Sequence, residues 1–227
     1  MRIAVLGTGT VGRTLGSALL RSGHEVRMGS RAAGNEAAVS WASAVGGPAT
    51  EGTFADAAGF GEIVFNATAG SHALAVLEAA GAEQLAGKVL VDVSNPLDFS
   101  TGTLTLSVCN DDSVGESLQR AFPDVRVVKA LNTVTASVMV DPSSVPGAHT
   151  LFICGDDAAA KAQAAELLQG FGWPAEAILD LGDIGGARAM EMYLPLWLRL
   201  YQASGTAVLN VEVRTAAPPD ADAGAGT

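Results

Sequence analysis

The chain is expected to fold as an α/β protein: a doubly wound, mostly parallel sheet with a short C-terminal helical segment. Three observations carry that expectation. A strand-like opening runs straight into a glycine-rich turn and a helix. Short apolar runs then alternate with helical patterns along the chain. Those runs are apolar almost without interruption, as parallel strands covered on both faces are.

The first element is Arg2-Ile3-Ala4-Val5-Leu6, which leads into Gly7-Thr8-Gly9-Thr10-Val11-Gly12. A Gly-x-Gly-x-x-Gly pattern alone is weak, but here it lies between a strand and a helix, as its chemistry requires. Gly7 allows the tight turn, Gly9 lets backbone approach a pyrophosphate, and Gly12 lets the helix pack closely on the sheet. Val11, Leu15, Ala18 and Leu19 recur at helical spacing, so phosphates would face the positive end of a helix. This is the pattern of a dinucleotide-binding, Rossmann-like unit.

A second apolar strand ends at Gly29-Ser30-Arg31, with no acid until Glu36. An NAD site places Asp or Glu roughly 20 residues beyond the glycines, to hold the ribose 2′-hydroxyl. A carboxylate would repel a 2′-phosphate, whereas a hydroxyl and a guanidinium bind one by charge-assisted hydrogen bonds. Ser30 and Arg31 therefore point to NADP(H). Arg13, in the first helical turn, either reaches phosphate or is solvated.

The remaining pattern gives a helix over 35–45, a Gly/Ala-rich connection, and a buried parallel strand over 62–66. An Ala/Leu helix starts near Ser71, with Ser71 or His72 at its cap. Strands are expected over 88–93, 126–131, 150–154 and 177–181, and helices over 113–122 and 157–171. A final helix over 184–204, kinked at Pro195, carries Met190, Met192, Tyr193, Leu194, Leu196, Trp197, Leu198, Leu200 and Tyr201 and keeps almost no polar face. Such a helix is buried in its own core, lines a substrate pocket, or forms a homodimer seam. Residues 1–155 are expected to form the nucleotide-binding domain and 156–213 a segment closing the substrate side. Residues 214–227 lack periodicity and read as a disordered tail.

Ligands of open α/β sheets sit beyond the carboxyl ends of the strands. That rule nominates Ala67, Thr68 and Ala69, then Asn95 and Pro96 after Ser94, then Asn132 with Thr133 and Val134. All are small or carry hydroxyls or amides, able to line a flat ring. None is an evident catalytic base, and no catalytic residue is assigned. Lys129 lies within its strand, and His72 is the titratable group nearest the expected nicotinamide. Hydride transfer between two organic cofactors needs alignment at close range more than a proton relay.

The 227 residues carry a net charge of −11, which argues against nucleic acid or an anionic membrane as partner. No apolar stretch is long enough to span a bilayer, and the apolar N-terminus is broken too early for a signal peptide. Cys109 and Cys154 lie far apart, which suits a reducing cytoplasm; His24, His72 and His149 are scattered, so no metal site is expected.

Gly-Thr-Gly-Thr-Val-Gly, the Gly23-His24-Glu25-Val26 approach to Gly-Ser-Arg, and Val128-Lys129-Ala130-Leu131-Asn132-Thr133 together resemble the NADPH:F420 oxidoreductase family over residues 1–205. The same domain occurs in the cytoplasmic part of metalloreductases. The resemblance implies that Thr8, Gly9, Thr10 and Val11 contact the pyrophosphate and Ser30 and Arg31 the 2′-phosphate. It further implies that Ala136 offers backbone to the nicotinamide amide. It makes coenzyme F420, a deazaflavin, the expected hydride partner of NADP(H). Asn35 stands near the place where family members often carry a basic residue. The segment over 98–112 and the final helix suggest a branch that could use another flavin or a small imine or carbonyl substrate. A non-catalytic NADP(H)-sensing module would share the nucleotide motifs.

Overall fold

A computed structural model describes residues 1–100 and 102–216. The expected tail therefore lies, from residue 217 onward, outside the described residues.

The first half alternates β1 (Arg2–Leu6), α1 (Thr10–Arg21), β2 (Glu25–Ser30), α2 (Glu36–Val45), β3 (Ala49–Thr53), α3 (Phe54–Phe60), β4 (Ile63–Asn66), α4 (Gly70–Ala80), α5 (Ala82–Leu85) and β5 (Val89–Asp92). A two-stranded hairpin follows, β6 (Leu97–Asp98) with β7 (Thr105–Leu106). Then come α6 (Val114–Ala121), β8 (Arg126–Ala130), α7 (Ala136–Val140), β9 (Leu151–Cys154), α8 (Ala158–Gly170), β10 (Ile178–Asp180), α9 (Gly186–Met192) and α10 (Leu194–Ser204).

Eight strands form one sheet in the order β10-β9-β8-β5-β4-β1-β2-β3. From β8 to β3 every pair is parallel; β9 runs antiparallel to β8, and β10 follows β9. The order reverses direction at β1 and β4, which is the switch point where such sheets bind ligands. Registers align the strand exits: Leu6 pairs with Gly29 and Asn66, Asn66 with Asp92, and Asp92 with Lys129. The segments after these strands therefore open at one level along one edge of the molecule.

Side chains alternate between faces along each strand. Ile3, Val5, Val26, Met28, Phe65 and Val91 pack with Leu15 and Leu19 of α1 and Leu167 and Leu168 of α8. Ala4, Leu6, Val64, Leu90 and Val127 face the other layer with Phe54, Leu77 and Leu118. Both faces are covered, which accounts for the uninterrupted apolar runs.

Three expectations change. The Gly/Ala-rich connection contains β3 and α3. Here Thr53 caps α3 through its hydroxyl, which accepts from Asp56 N at 3.0 Å, while Thr53 N donates back to Asp56 Oδ2 at 2.9 Å. That capping box was written in the sequence as Thr-x-x-Asp, but β3 is an edge strand without an apolar run. The Ser71 helix starts a residue earlier, with Ala69 at its N-cap and no side-chain cap. Finally, the long C-terminal helix is two helices meeting at Tyr193. Pro195 lies in the first turn of α10, where the missing N–H costs nothing. Only Leu194 of α10 is buried, and Leu196 and Tyr201 are 54% and 40% exposed. The chain's own core does not enclose this helix.

Beyond α10 the backbone returns to the start of β9. Thr150 N donates to Val211 O at 2.8 Å, Asn210 Nδ2 to Thr150 O at 2.9 Å, and Val213 N to Thr150 Oγ1 at 3.0 Å. Among the described residues no helix is long and apolar enough to cross a membrane.

Candidate functional site

The glycine turn is built as its spacing demands. Gly7 has φ +118°, and a Cβ there would lie 2.7 Å from Ala67 O. A Cβ on Gly12 would collide with the Gly7 carbonyl. Both glycines are therefore required by the fold itself. Gly9 is different: its backbone is extended at φ −72° and ψ −176°, and a Cβ there meets nothing within 4 Å. Gly9 is also the N-cap of α1, with no side-chain cap, so the first amides of that helix point into open space. Amides so placed can take an anion. Arg13 neither reaches into that space nor floats free, because its guanidinium donates to Thr8 O at 2.6 Å and braces the turn.

A cavity of about 420 Å³ joins this turn to the end of β2. Its lining includes Gly7, Thr8, Ser30, Arg31, Thr68 and the apolar Phe54, Val76 and Ala79. Ser30 is buried, and its hydroxyl donates to Ala32 O at 2.6 Å, holding the loop that presents Arg31. Arg31 is exposed and has no hydrogen-bond or ion-pair partner among the described residues. Asn35 lines the same cavity while its Oδ1 accepts from Ala38 N at 3.2 Å, as the N-cap of α2. His72 also lines this cavity.

The other nominated residues gather at the exits of β4, β5 and β8. Thr68 donates its hydroxyl to Asn66 Oδ1 at 2.7 Å, between half-buried Ala67 and exposed Ala69. Asn95 and Asn132 clasp each other: Asn95 Nδ2 donates to Asn132 O at 2.8 Å, and Asn132 Nδ2 to Asn95 Oδ1 at 2.9 Å. Pro96 is buried beside them, and half-buried Ala136 opens α7. Asn132 Nδ2 also reaches Met190 O on α9 at 3.1 Å, so α9 lies across the exits of β5 and β8. Leu131, just before Asn132, has φ +63°, a strained conformation for a branched residue that the surrounding clasp enforces.

One feature escaped sequence reasoning. Lys129, within β8, is fully buried. Its ammonium lies 2.7 Å from Asp92 Oδ2, 2.7 Å from Glu191 Oε1 and 2.6 Å from Ser94 O. Three acceptors meet its three N–H donors. Burial pushes its pKa down, but the Asp92 and Glu191 carboxylates outweigh burial and hold it above the ordinary lysine value. A lysine in a strand covered on both faces requires such partners, and Asp92 at the end of the adjacent strand was the available signal. Cys154, nearby, is inert: burial pushes its thiol up to about 12. Among the described residues no group of His, Cys, Asp and Glu could hold a metal ion.

This geometry recurs in known proteins. The chain is 49% identical, with a TM-score of 0.89, to a crystal structure from Arthrobacter sp. FB24 named as a candidate F420-dependent NADP-reductase; the match covers 95% of this chain and 100% of that one.

The chain belongs to the F420-dependent NADP oxidoreductase family.

The family pattern described as NADP oxidoreductase, coenzyme F420-dependent, matches residues 2–96, from β1 through the exit of β5. The F420-dependent NADP reductase of Methanocaldococcus jannaschii is 28% identical over 165 residues, 70% of this chain and 72% of that protein. The metalloreductase STEAP3 of Rattus norvegicus is 32% identical over 202 residues, 86% of this chain but only 38% of that protein. This chain thus spans about two-fifths of the metalloreductase it matches. The F420-dependent NADP oxidoreductase family is one of NADP-dependent oxidoreductases.

Proposed function

We propose that this member of the family transfers hydride between NADP(H) and coenzyme F420. The observation that carries the reading is the unpartnered Arg31 guanidinium lining the same cavity as Gly7 and Thr8, which lead into the N-terminus of α1. When bound, NADP(H) supplies the hydride donor or acceptor carbon. The chain's residues bind and orient: the α1 amides and the Thr8–Val11 backbone take the pyrophosphate, and Arg31 takes the 2′-phosphate. Phe54, Val76 and Ala79 give an apolar wall suited to the adenine. Ala67, Thr68, Ala69, Asn95, Pro96, Asn132 and Ala136 form the bed for the nicotinamide. Among the described residues no side chain at the strand exits offers a free acid or base, which suits a reaction that needs close alignment and exclusion of water. Residues 1–155 supply the nucleotide half, and α9 and α10 within 156–213 cover the acceptor side. The small-molecule partner is a deazaflavin, and the compartment is the cytoplasm.

Anaerobic mixing of the protein with NADPH and F420 tests this directly. Loss of the oxidised deazaflavin absorbance at a rate proportional to enzyme is expected. NADPH binding without turnover would instead favour a sensing module.

Gly9→Val separates ligand from fold. Space and backbone both admit the side chain, so the variant is expected to fold with a stability loss below about 1 kcal/mol, that of a poorer N-cap. Its NADPH binding, read by fluorescence titration, is expected to vanish, because the new side chain fills the pyrophosphate's approach.

We also propose that α10 forms a homodimer seam. Leu196 and Tyr201 are exposed on a helix that buries one residue in its own chain, and exposed apolar surface of this kind marks an interface. Trp197, stacked on Tyr201 with centroids 5.7 Å apart, stiffens that face. Sedimentation is expected to give a dimer for the wild type and a monomer for Leu196→Glu, with NADPH affinity retained. A wild type that stays monomeric at high concentration ends this proposal.

A further inference from the structure

Buried charge at the acceptor side does more than fill the core. Glu191 is the only member of the Lys129 cluster that comes from α9, and its carboxylate has three donors: Lys129 Nζ at 2.7 Å, Val114 N at 2.9 Å and Gly115 N at 3.1 Å. The last two are the first amides of α6, so Glu191 closes the positive end of that helix from another element. Asp92 holds the opposite side of the ammonium and accepts from Asn66 Nδ2 at 2.8 Å. Asn66 in turn accepts from the Thr68 hydroxyl, at the wall of the nucleotide cavity. Five polar side chains thus run without a break from that cavity to α9. The same α9 is gripped a second time, one residue earlier, by Asn132 at Met190 O.

We propose that Glu191 and Lys129 are positioning residues that pin α9 over the exits of β5 and β8 and so fix the depth and tilt of the acceptor above the nicotinamide bed. Neither touches a ligand, since both are enclosed. They act through Ser94 O, which Lys129 anchors one residue before Asn95, and through α9, which Glu191 anchors one residue after Met190. The inference rests on the hydride-transfer reading for the word acceptor, but the pinning of α9 stands on geometry alone.

Two variants of the full chain test it. Glu191→Gln keeps an oxygen for the α6 amides and removes the charge, leaving Lys129 paired one-to-one with Asp92. Glu191→Ala removes the contact altogether. Hydrogen exchange followed by mass spectrometry is expected to show the 186–192 amides exchanging about tenfold faster or more in Glu191→Ala, with Glu191→Gln between it and the wild type. Exchange in α1 and α4 should not change, and NADPH affinity should stay within about twofold, because Glu191 makes its hydrogen bonds and ion pair to residues that do not line the cavity. In turnover with F420, the acceptor KM is expected to rise in the same order, with the KM for NADPH unchanged. Wild-type exchange in α9 of a folded Glu191→Ala protein would overturn the proposal. So would faster exchange spread evenly over the sheet, or an unchanged acceptor KM once α9 is loosened. If the wild type turns over no F420, the hydride-transfer reading fails by itself, and α9 exchange alone decides the clamp.

Discussion

Arg31→Glu is expected to erase the preference for NADPH over NADH. The substitution removes a lining cation that has no partner among the described residues and puts a carboxylate where a phosphate would sit. A charge-assisted contact contributes about 1.5–3 kcal/mol, so NADPH affinity should fall roughly ten- to a hundredfold. Because Arg31 is exposed, the loss should lie toward the smaller end and shrink as salt is added. NADH, with no 2′-phosphate, should bind the variant about as it binds the wild type, or slightly better. Paired fluorescence titrations of both nucleotides decide the matter. A wild type that binds NADPH and NADH equally would remove the basis for the NADP assignment.

Lys129→Met is expected to cause a large loss of stability. Methionine fits the space, but it leaves Asp92 and Glu191 as two buried carboxylates without their common cation. Breaking a buried ion pair from one side costs about 3–5 kcal/mol. For a chain of this size, that lowers Tm by roughly 6–20 °C. Scanning calorimetry of the variant beside the wild type at neutral pH would show it. A variant as stable as the wild type at neutral pH would mean that the three charges are not held as the structure places them.

The sequence carried the parts of this molecule that local chemistry dictates. The strand–glycine–helix opening, the absence of an acid at Ser30 and Arg31, and the small residues at the strand exits all appear where periodicity and the switch-point rule put them. It did not carry what depends on contacts between distant segments. The pairing of Lys129 is not legible locally because its partners lie 37 residues before it and 62 after it, on another strand and on a helix. The Ser30 hydroxyl looked like a phosphate ligand, yet its proton is committed to its own loop. The apolar 184–204 stretch reads as one helix because hydropathy does not register the break at Tyr193. Nor does hydropathy say whether an apolar face is covered by the chain's own core.

The position of Glu191 also bears on how the protein is made. Synthesis delivers residues 1–155 first, with β8 and its lysine complete long before residue 191 leaves the ribosome. Until then α6 has no cap at Val114 and Gly115, and α9 is not yet available to cover the strand exits. The early half therefore carries an unfinished polar core at the edge where its ligand is expected to bind. A nascent chain in that state is one that a bound dinucleotide or a chaperone could hold. A fragment cut at residue 155 would be a poor stand-in for the nucleotide half, because its last structural hydrogen bonds are supplied by residues translated after it.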